Sequence, residues 1–431
     1  MSTDDVDGAG AERIAKHVIE RLKAGDFEGV CGDFADAMRA ALPADKLAAT
    51  WAGLARQIGA LTAVTNVAVR SEQGHHAVVM EGRFERADLV IRLNVDSAGR
   101  VEGLFFQPKP KEIDWAPPAY ADPSSFEERP VVVGSRPALP GVLCMPKSEG
   151  AHAAVVLVHG SGPNDQDESV GGCKVFKDLA WGLASKGIAV LRYVKRTRHS
   201  PAGVVTQKEE VIDGARDAVE LLRETKGIDA DRVFVLGHSQ GGYLAPRIAK
   251  EISGVAGLVI LAGSTRPLQD SMVEQLEYFE RLSPGVPQVT AMLEAARKFK
   301  AIVEDPALSV DQTVELPTGG TVTGAYFVDV KDYHPPSVAK GLDCRMLILQ
   351  GERDYQVTAR DFDGWRDALA GRPNVTLKAY PALNHLFVAG VGTPSPAEYQ
   401  SPGHVDAQVI ADIAAFVGWA EKSHGAHSGE E

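Results

Sequence analysis

A serine between two glycines follows an apolar run near the middle of the chain. Residues 237–241 read Gly-His-Ser-Gln-Gly, they come directly after the apolar run 233–236, and a helix-like stretch begins at Gly242. A turn of this kind between a strand and a helix exposes the serine hydroxyl above the sheet in a strained backbone conformation. Ser239 is therefore predicted to be a nucleophile. The alternative is an ordinary glycine-rich turn with a surface serine.

Two acidic residues and a histidine follow this serine in the order that one class of serine triads uses. The apolar run 346–349 leads into a loop with Glu352 and Asp354, and the alternating run 375–380 leads into a loop with His385. His385 is the predicted general base, which takes the serine proton and returns it to the leaving group. One of the two acids would orient the histidine ring and stabilise its charged form.

Three other histidines lie close to these motifs in the sequence. His404 comes just before the last predicted helix, and it is an alternative base. Position favours His385, because the base is expected one loop after the last core strand. His159 and His238 are interpreted as structural residues that brace a loop and the serine turn.

A second glycine-rich loop could stabilise negative charge on a substrate. The apolar run 154–158 leads into residues 159–163, which read His-Gly-Ser-Gly-Pro. Charge that develops on a substrate oxygen needs pre-placed N–H donors, each contributing about 3 kcal/mol in hydrolases. The predicted donors of this oxyanion hole are the backbone N–H groups of Gln240 and Ser161, with Gly162 as an alternative to Ser161.

Together these motifs resemble the α/β-hydrolase superfamily and, within it, bacterial carboxylesterases of the EstD type, near the dienelactone-hydrolase and prolyl-oligopeptidase branches. The resemblance covers about residues 125–421 and implies ester hydrolysis through an acyl-enzyme, with no metal and no organic cofactor. Its motifs are the stretches 159–168, 237–241, 261–268, 351–354 and 384–385.

The resemblance also bears on two loops. The neighbours of Asp354 resemble the acid loop of α/β-hydrolases, so Asp354 is the predicted acid and Glu352 the alternative. Relatives tend to carry Asp-Lys-Arg-Gly after the second core strand, whereas residues 193–200 here read Tyr-Val-Lys-Arg-Thr-Arg-His-Ser. This departure indicates a different loop shape and hence a different substrate preference.

Composition limits the kind of partner. The formal net charge of −13 argues against nucleic acid and against anionic membrane surfaces. No apolar run approaches the ~18 residues of a membrane span, and the acidic start lacks the features of a signal peptide. The cytoplasm is therefore the expected location. Scattered cysteines predict neither a metal site nor a disulfide framework: Cys31, Cys144, Cys173 and Cys344.

The periodicity of the apolar residues indicates two folded parts. Three helices followed by an antiparallel meander predict a small α+β domain, which resembles nuclear-transport-factor-like or cystatin-like domains. Dimerisation and covering the active-site mouth are its candidate roles, so a homodimer is one expectation. The predicted organisation is a disordered start (1–8), the small α+β domain (9–107), a proline-rich linker (108–125), an α/β-hydrolase domain (126–421) and a disordered tail (422–431).

Strands alternate with helices in the larger part, which predicts an α/β fold with a mostly parallel sheet. The alternation breaks over residues 266–340, where two helices and two breaker segments predict a helical lid over the ends of the strands. Gly162, Ser264 and Tyr326 are the predicted pocket residues. Arg266 is interpreted as a residue that positions the lid, with the binding of a substrate carboxylate as the alternative.

Several functions share this set of residues. The leading hypothesis is a serine carboxylesterase acting on a small or medium ester. A peptidase, amidase or thioesterase is an alternative, since one triad cleaves several acyl bonds. A natural-product acyltransferase or cyclase and an inactive binding scaffold are further alternatives.

Overall fold

The computed structural model describes residues 6–72, 75–109, 115–200, 205–317 and 320–418. The chain divides into two units, Met1–Glu112 and Ile113–Glu431. The predicted tail 422–431, residues 1–5 of the predicted disordered start and residues 110–114 of the predicted linker lie outside the described residues. Residue 8 already belongs to the first helix.

The described residues of the first unit form these elements: helices α1 (Gly8–Ala24), α2 (Phe27–Gly32), α3 (Asp36–Ala41) and α4 (Ala44–Ile58), and strands β1 (Leu61–Glu72), β2 (His75–Phe84), β3 (Asp88–Val95) and β4 (Val101–Pro108). The strands form an antiparallel sheet in the order β1-β2-β3-β4. Helix α1 is capped by Asp7, ends at Gly25 in the left-handed region, and buries Ala15, Val18 and Leu22 in the unit's core. The prediction of three helices is wrong by one, because Phe34 is buried between α2 and α3 and divides the second helical pattern.

The second unit is built on a sheet of eight strands in the order β16-β15-β12-β11-β7-β10-β6-β5. Strands β5 and β6 are antiparallel, and the six strands from β16 to β10 run parallel. All residues of β7, β10 and β12 are buried, as expected for parallel strands covered on both faces. Its main strands are β5 (Phe126–Val133), β6 (Leu139–Pro146), β7 (His152–Val158), β10 (Ala189–Tyr193), β11 (Ile228–His238), β12 (Gly257–Leu261), β15 (Arg345–Gly351) and β16 (Val375–Tyr380), with the short pairs β8 (Ser169–Val170) and β9 (Cys173–Lys174), and β13 (Thr313–Glu315) and β14 (Thr321–Thr323).

Helices cover both faces of this sheet. The described α-helices of the second unit are α5 (Val175–Ala184), α6 (Arg196–His199), α7 (Asp213–Glu224), α8 (Gln240–Glu251), α9 (Leu268–Leu282), α10 (Pro287–Val303), α11 (Ala325–Val328), α12 (Pro335–Lys340), α13 (Ala359–Ala368) and α14 (Ala407–Gly418). A π-helical turn (Lys208–Ile212) precedes α7, and a 3-10 helix (Pro396–Gln400) precedes α14. Helices α5 and α14 pack on one face, and α7, α8 and α13 pack on the other. None of the helices that the structure describes is long and apolar enough to span a membrane.

An insertion, residues 266–340, separates β12 from β15. Helix α9 has the predicted bounds, and α10 begins two residues before its predicted start because Pro287 occupies the first helical turn, where proline is well tolerated. The hairpin β13–β14 was not predicted. Helix α10, the hairpin and α11 share a small apolar core that includes Phe299, Val314 and Phe327.

Candidate active site

Ser239 lies in a strained turn between β11 and α8. Its backbone has φ 52° and ψ −112°, a conformation that a residue with a side chain rarely adopts and that costs roughly 1–3 kcal/mol. Two backbone hydrogen bonds hold it: Ser239 N–H donates to the Leu261 carbonyl at 2.9 Å, and the Ser239 carbonyl accepts from Tyr243 N–H at 2.8 Å. The side chain remains partly accessible.

The glycines around Ser239 are required by close backbone contacts. A Cβ on Gly237 would overlap the Gly241 carbonyl, and a Cβ on Gly241 would overlap the Val158 carbonyl. The absence of a side chain at Gly237 allows the sharp turn, and its absence at Gly241 allows α8 to begin against the end of β7. The motif is therefore a tight strand–turn–helix arrangement and not a loose surface turn.

Asp354 and His385 come together at the ends of β15 and β16, the two strands that lie beyond β12 in the sheet. Asp354 follows β15, His385 follows β16, and the ring Nδ1 lies 2.6 Å from the Asp354 carboxylate. The other carboxylate oxygen accepts the N–H groups of Gln356 at 2.8 Å and Val357 at 3.0 Å. Asp354 is buried, whereas Glu352 is exposed. The geometry thus pairs His385 with Asp354.

His385 is tied to the serine turn through its backbone. The His385 carbonyl lies 2.9 Å from Nε2 of His238, and the two rings are 4.8 Å apart. Within the part of the chain that the structure describes, the Ser239 hydroxyl makes no hydrogen bond to His385. Such bonds are often long before substrate binds and shorten in the complex.

The competing histidine lies in a different environment. Nδ1 of His404 is 3.1 Å from the Asp178 carboxylate, which also accepts from the Trp115 ring and from Val405 N–H. His404 therefore braces the start of the segment that leads to α14.

The predicted oxyanion loop runs directly past the serine. A Cβ on Gly160 would lie 3.1 Å from the Ser239 Cβ. The backbone N–H groups of Ser161 and Gln240 donate to no other group among the described residues. Gly162 is exposed and has φ 89°. The arrangement leaves two free donors beside the nucleophile.

A buried acid–base pair lies beneath this site. Glu168 is 3.0 Å from Nδ1 of His238, and its other oxygen accepts the Gly160 N–H at 2.6 Å. Burial alone would raise the pKa of Glu168, but the neighbouring His238 holds it below the ordinary value. Burial alone would lower the pKa of His238, but the charge of Glu168 raises it above the ordinary value. The pair joins the oxyanion loop, the serine turn and the His385 loop.

His159 is a neutral structural histidine at the base of the oxyanion loop. Nε2 lies 3.0 Å from the Asp165 carbonyl, and the ring packs on Phe176 and Tyr193. Burial lowers the pKa of His159 to about 4.

A lysine with no predicted role also lies beneath the oxyanion loop. Nζ of Lys195 donates to the Gly160 carbonyl at 2.7 Å and to the Gln240 side chain at 2.9 Å, and it lies 3.0 Å from Glu210. Tyr326 of the insertion donates to Glu210 and accepts from the Gln240 amide at 2.9 Å. Lys195 matches the lysine of the relatives' Asp-Lys-Arg-Gly stretch, and Glu210 is a charged residue inside an apolar helical pattern. These are the signals in the sequence that could have drawn attention to them.

Ser264 is engaged in a different network. Its hydroxyl oxygen lies 3.0 Å from an Asp361 carboxylate oxygen and 2.8 Å from the Arg266 carbonyl, and its single proton can be donated to either. Arg266 also binds Asp361 and Glu274. This cluster holds the start of the insertion against α13, and the Ser264 hydroxyl makes its hydrogen bonds within the cluster.

No group of three or more His, Cys, Asp or Glu side chains in the described residues is arranged to hold a metal ion.

Comparisons with known proteins agree with this arrangement. A family model described as "Alpha/beta hydrolase family" matches residues 155–399, and a model for a protein of unknown function, DUF3887, matches residues 15–104. Solved structures with a similar fold include an esterase from Pyrococcus furiosus (14% identity, 71% of this chain and 94% of that chain, TM-score 0.45) and a puromycin-hydrolyzing peptidase from Mycobacterium tuberculosis (18% identity, 81% of this chain and 47% of that chain, TM-score 0.45).

Sequence similarity is more specific. The chain is 38% identical over 407 residues to Esterase EstD of Thermotoga maritima, which covers 93% of each chain. The resemblance that the motifs indicate is thereby confirmed. The chain belongs to the α/β-hydrolase family and, within it, to the relatives of the EstD esterases.

Proposed function

We propose that the protein is a carboxylesterase that hydrolyses small or medium esters through an acyl-enzyme on Ser239. The observation that carries the proposal is the pairing of His385 with Asp354 at the serine turn, beside two unused N–H donors. The 38% identity to Esterase EstD supports an ester as the substrate class.

The geometry supports the following order of steps. Oγ of Ser239 attacks the ester carbonyl carbon while Nε2 of His385 takes the hydroxyl proton. The N–H groups of Gln240 and Ser161 stabilise the oxyanion of the tetrahedral intermediate. The intermediate collapses, the C–O bond to the alcohol breaks, and His385 protonates the departing alcohol. Water then attacks the acyl-enzyme with the same base, and the acid and free Ser239 are released.

Asp354 has a supporting role in these steps. Its hydrogen bond to Nδ1 leaves Nε2 of His385 without a proton and so able to accept that of Ser239, and its charge stabilises the imidazolium. Gly162 and Tyr326 are the proposed lining of the substrate pocket. All of these steps use protein groups and water.

The first test is labelling with a fluorophosphonate probe, read by mass spectrometry, with a panel of short-to-long acyl p-nitrophenyl esters on the same sample. We expect label on Ser239 and turnover of short esters. Ser239→Ala should lose both, and Ser253→Ala, an exposed serine in the same unit, should keep both.

Each outcome of this test is informative. Label on Ser239 without ester turnover would favour another acyl bond, as in a peptidase or thioesterase, or another acceptor, as in an acyltransferase. Full activity of Ser239→Ala would refute the mechanism.

A further inference from the structure

Lys195 is a buried cation that the steps above leave without a role. It follows strand β10, at the same edge of the sheet as Ser239, and its side chain is 2% exposed. A lysine ammonium has three N–H donors. All three are used, on the Gly160 carbonyl, the Gln240 side-chain oxygen and Glu210.

Burial of this cation is stable because a buried carboxylate faces it. Glu210 lies 3.0 Å from Nζ and is 4% exposed. Burial alone would raise the pKa of Glu210, but Lys195 and the Tyr326 hydroxyl hold it below the ordinary value. A paired, fully hydrogen-bonded charge can remain in a protein interior, whereas a single one is strongly destabilising.

The first partner of Lys195 belongs to the predicted oxyanion loop. The Gly160 carbonyl and the Ser161 N–H are part of one trans peptide, so they point in opposite directions. An ammonium that binds the carbonyl on one side thus fixes the N–H on the other side. It also polarises the amide, which makes the N–H a stronger donor. The preceding N–H, that of Gly160, is held by Glu168 at 2.6 Å.

The second partner belongs to the serine turn. Gln240 accepts from Lys195 through its side-chain oxygen and donates through its side-chain nitrogen to Tyr326, which donates in turn to Glu210. The four side chains form a closed ring of hydrogen bonds. One cation therefore holds both the peptide that carries the Ser161 N–H and the side chain of Gln240, the other proposed oxyanion donor.

We propose that Lys195 is the positioning residue of the oxyanion hole, and that Tyr326 couples the insertion to that hole by closing the ring. This inference rests on the proposed esterase function. Lys195 does not touch substrate; it acts through the Gly160–Ser161 peptide and through Gln240. Its contribution belongs to the transition state, where the oxyanion is charged, and not to the bound ester.

The test compares Lys195→Met and the double variant Lys195→Met with Glu210→Gln. The single variant leaves Glu210 buried without a cation and risks misfolding, whereas the double variant leaves a neutral pair. Lys186→Met, an exposed lysine in the same unit, is the matched control. Far-UV circular dichroism and the urea midpoint check the fold of each variant.

Two measurements separate positioning from a purely structural role. The first is kcat and KM with a p-nitrophenyl ester. The second is the inhibition constant of an aryl trifluoromethyl ketone, whose adduct with the serine places an oxyanion in the hole. In the double variant we expect kcat to fall about 10²-fold, the ketone to bind weaker by a similar factor, and KM to change less than about threefold.

The outcomes distinguish this inference from the function on which it rests. A folded double variant with kcat within threefold of the wild type overturns the role of Lys195, and so does a fall in kcat with unchanged ketone affinity. A wild-type protein that neither hydrolyses esters nor takes the fluorophosphonate label overturns the esterase proposal itself, and the role of Lys195 with it. Tyr326→Phe should lower kcat and ketone affinity together but by less, because Lys195 remains paired.

Discussion

At the scale of single residues, the surroundings of each acid decide which one pairs with His385. Glu352 and Asp354 lie two positions apart on one loop, and their spacing in the sequence does not separate them. The fold distinguishes them, because Asp354 is buried and accepts hydrogen bonds from two backbone N–H groups and from His385, whereas Glu352 is exposed. The Gln350 side-chain amide donates to Asp354 as well, and a carboxylate held by four donors has a fixed orientation.

This difference predicts unequal effects of two neutral substitutions. Asp354→Asn should lower kcat for a p-nitrophenyl ester by about 10⁴, because an amide cannot hold the histidine tautomer that accepts the serine proton. Glu352→Gln, on the same loop, should stay within about threefold of the wild type. A larger loss in Glu352→Gln than in Asp354→Asn would contradict the assignment.

His159 predicts a loss of stability in acid. Its folded pKa of about 4 lies below the ordinary value of 6.5, so between these pH values the unfolded chain binds a proton that the folded chain does not. The free energy of unfolding should therefore fall as the pH drops from 6.5 to 4, by roughly 3 kcal/mol from this residue. Urea unfolding of His159→Gln at pH 4, 5 and 6.5 should show a shallower fall than the wild type. Parallel curves for the two proteins would remove His159 as the cause.

At the scale of elements, burial decides what the sequence can predict. Strands covered on both faces appear as continuous apolar runs, so β7, β10 and β12 were located to within a residue. Strands β13 and β14 have three residues each, too few to show an alternation of apolar and polar residues. Ser239, Asp354 and His385 follow strand ends, which makes them predictable from order and spacing.

The remainder of the site depends on contacts between distant segments. Gln240 is 45 residues from Lys195 and 86 from Tyr326, and their ring exists only once the sheet and the insertion have packed. No local pattern carries that information. Glu168 lies within a recognised motif, but its partnership with His238 spans 70 residues.

The insertion is anchored at one element contact that can be tested. Asp361 on α13 is fully buried and accepts from Thr265 N–H, Ser264 and Arg266 at the start of the insertion. Asp361→Asn removes the buried one of the two carboxylates that face Arg266, the other being Glu274. It should lower the free energy of unfolding in urea by about 2–4 kcal/mol.

A matched substitution on the same helix provides the control. Asp363 pairs with Arg366, and both side chains are about half exposed. Asp363→Asn should change stability by less than about 1 kcal/mol. Equal effects of the two substitutions would mean that the Asp361 cluster does not anchor the insertion.

At the scale of the whole molecule, the chain has separate apolar cores. The core of the first unit contains Trp51, Phe84 and Phe106 at its edge, and it shares no described residue with the two cores that flank the large sheet. Chains with more than one domain often depart from two-state unfolding. The free energy of unfolding of the larger unit should also fall more steeply with urea concentration, because this slope grows with the surface that unfolding exposes.

These cores predict two unfolding transitions that tryptophan fluorescence can separate. Trp51 is the only tryptophan in residues 1–112, where it packs on Phe84 and Phe106, while Trp365 is buried in the second unit. The difference between the wild type and Trp51→Phe in urea reports the first unit, and the signal that remains reports the second. We expect different midpoints and a steeper second transition. A single shared transition for both signals would instead mean that the two cores unfold as one cooperative unit, and that the first unit stabilises the fold on which Ser239 depends.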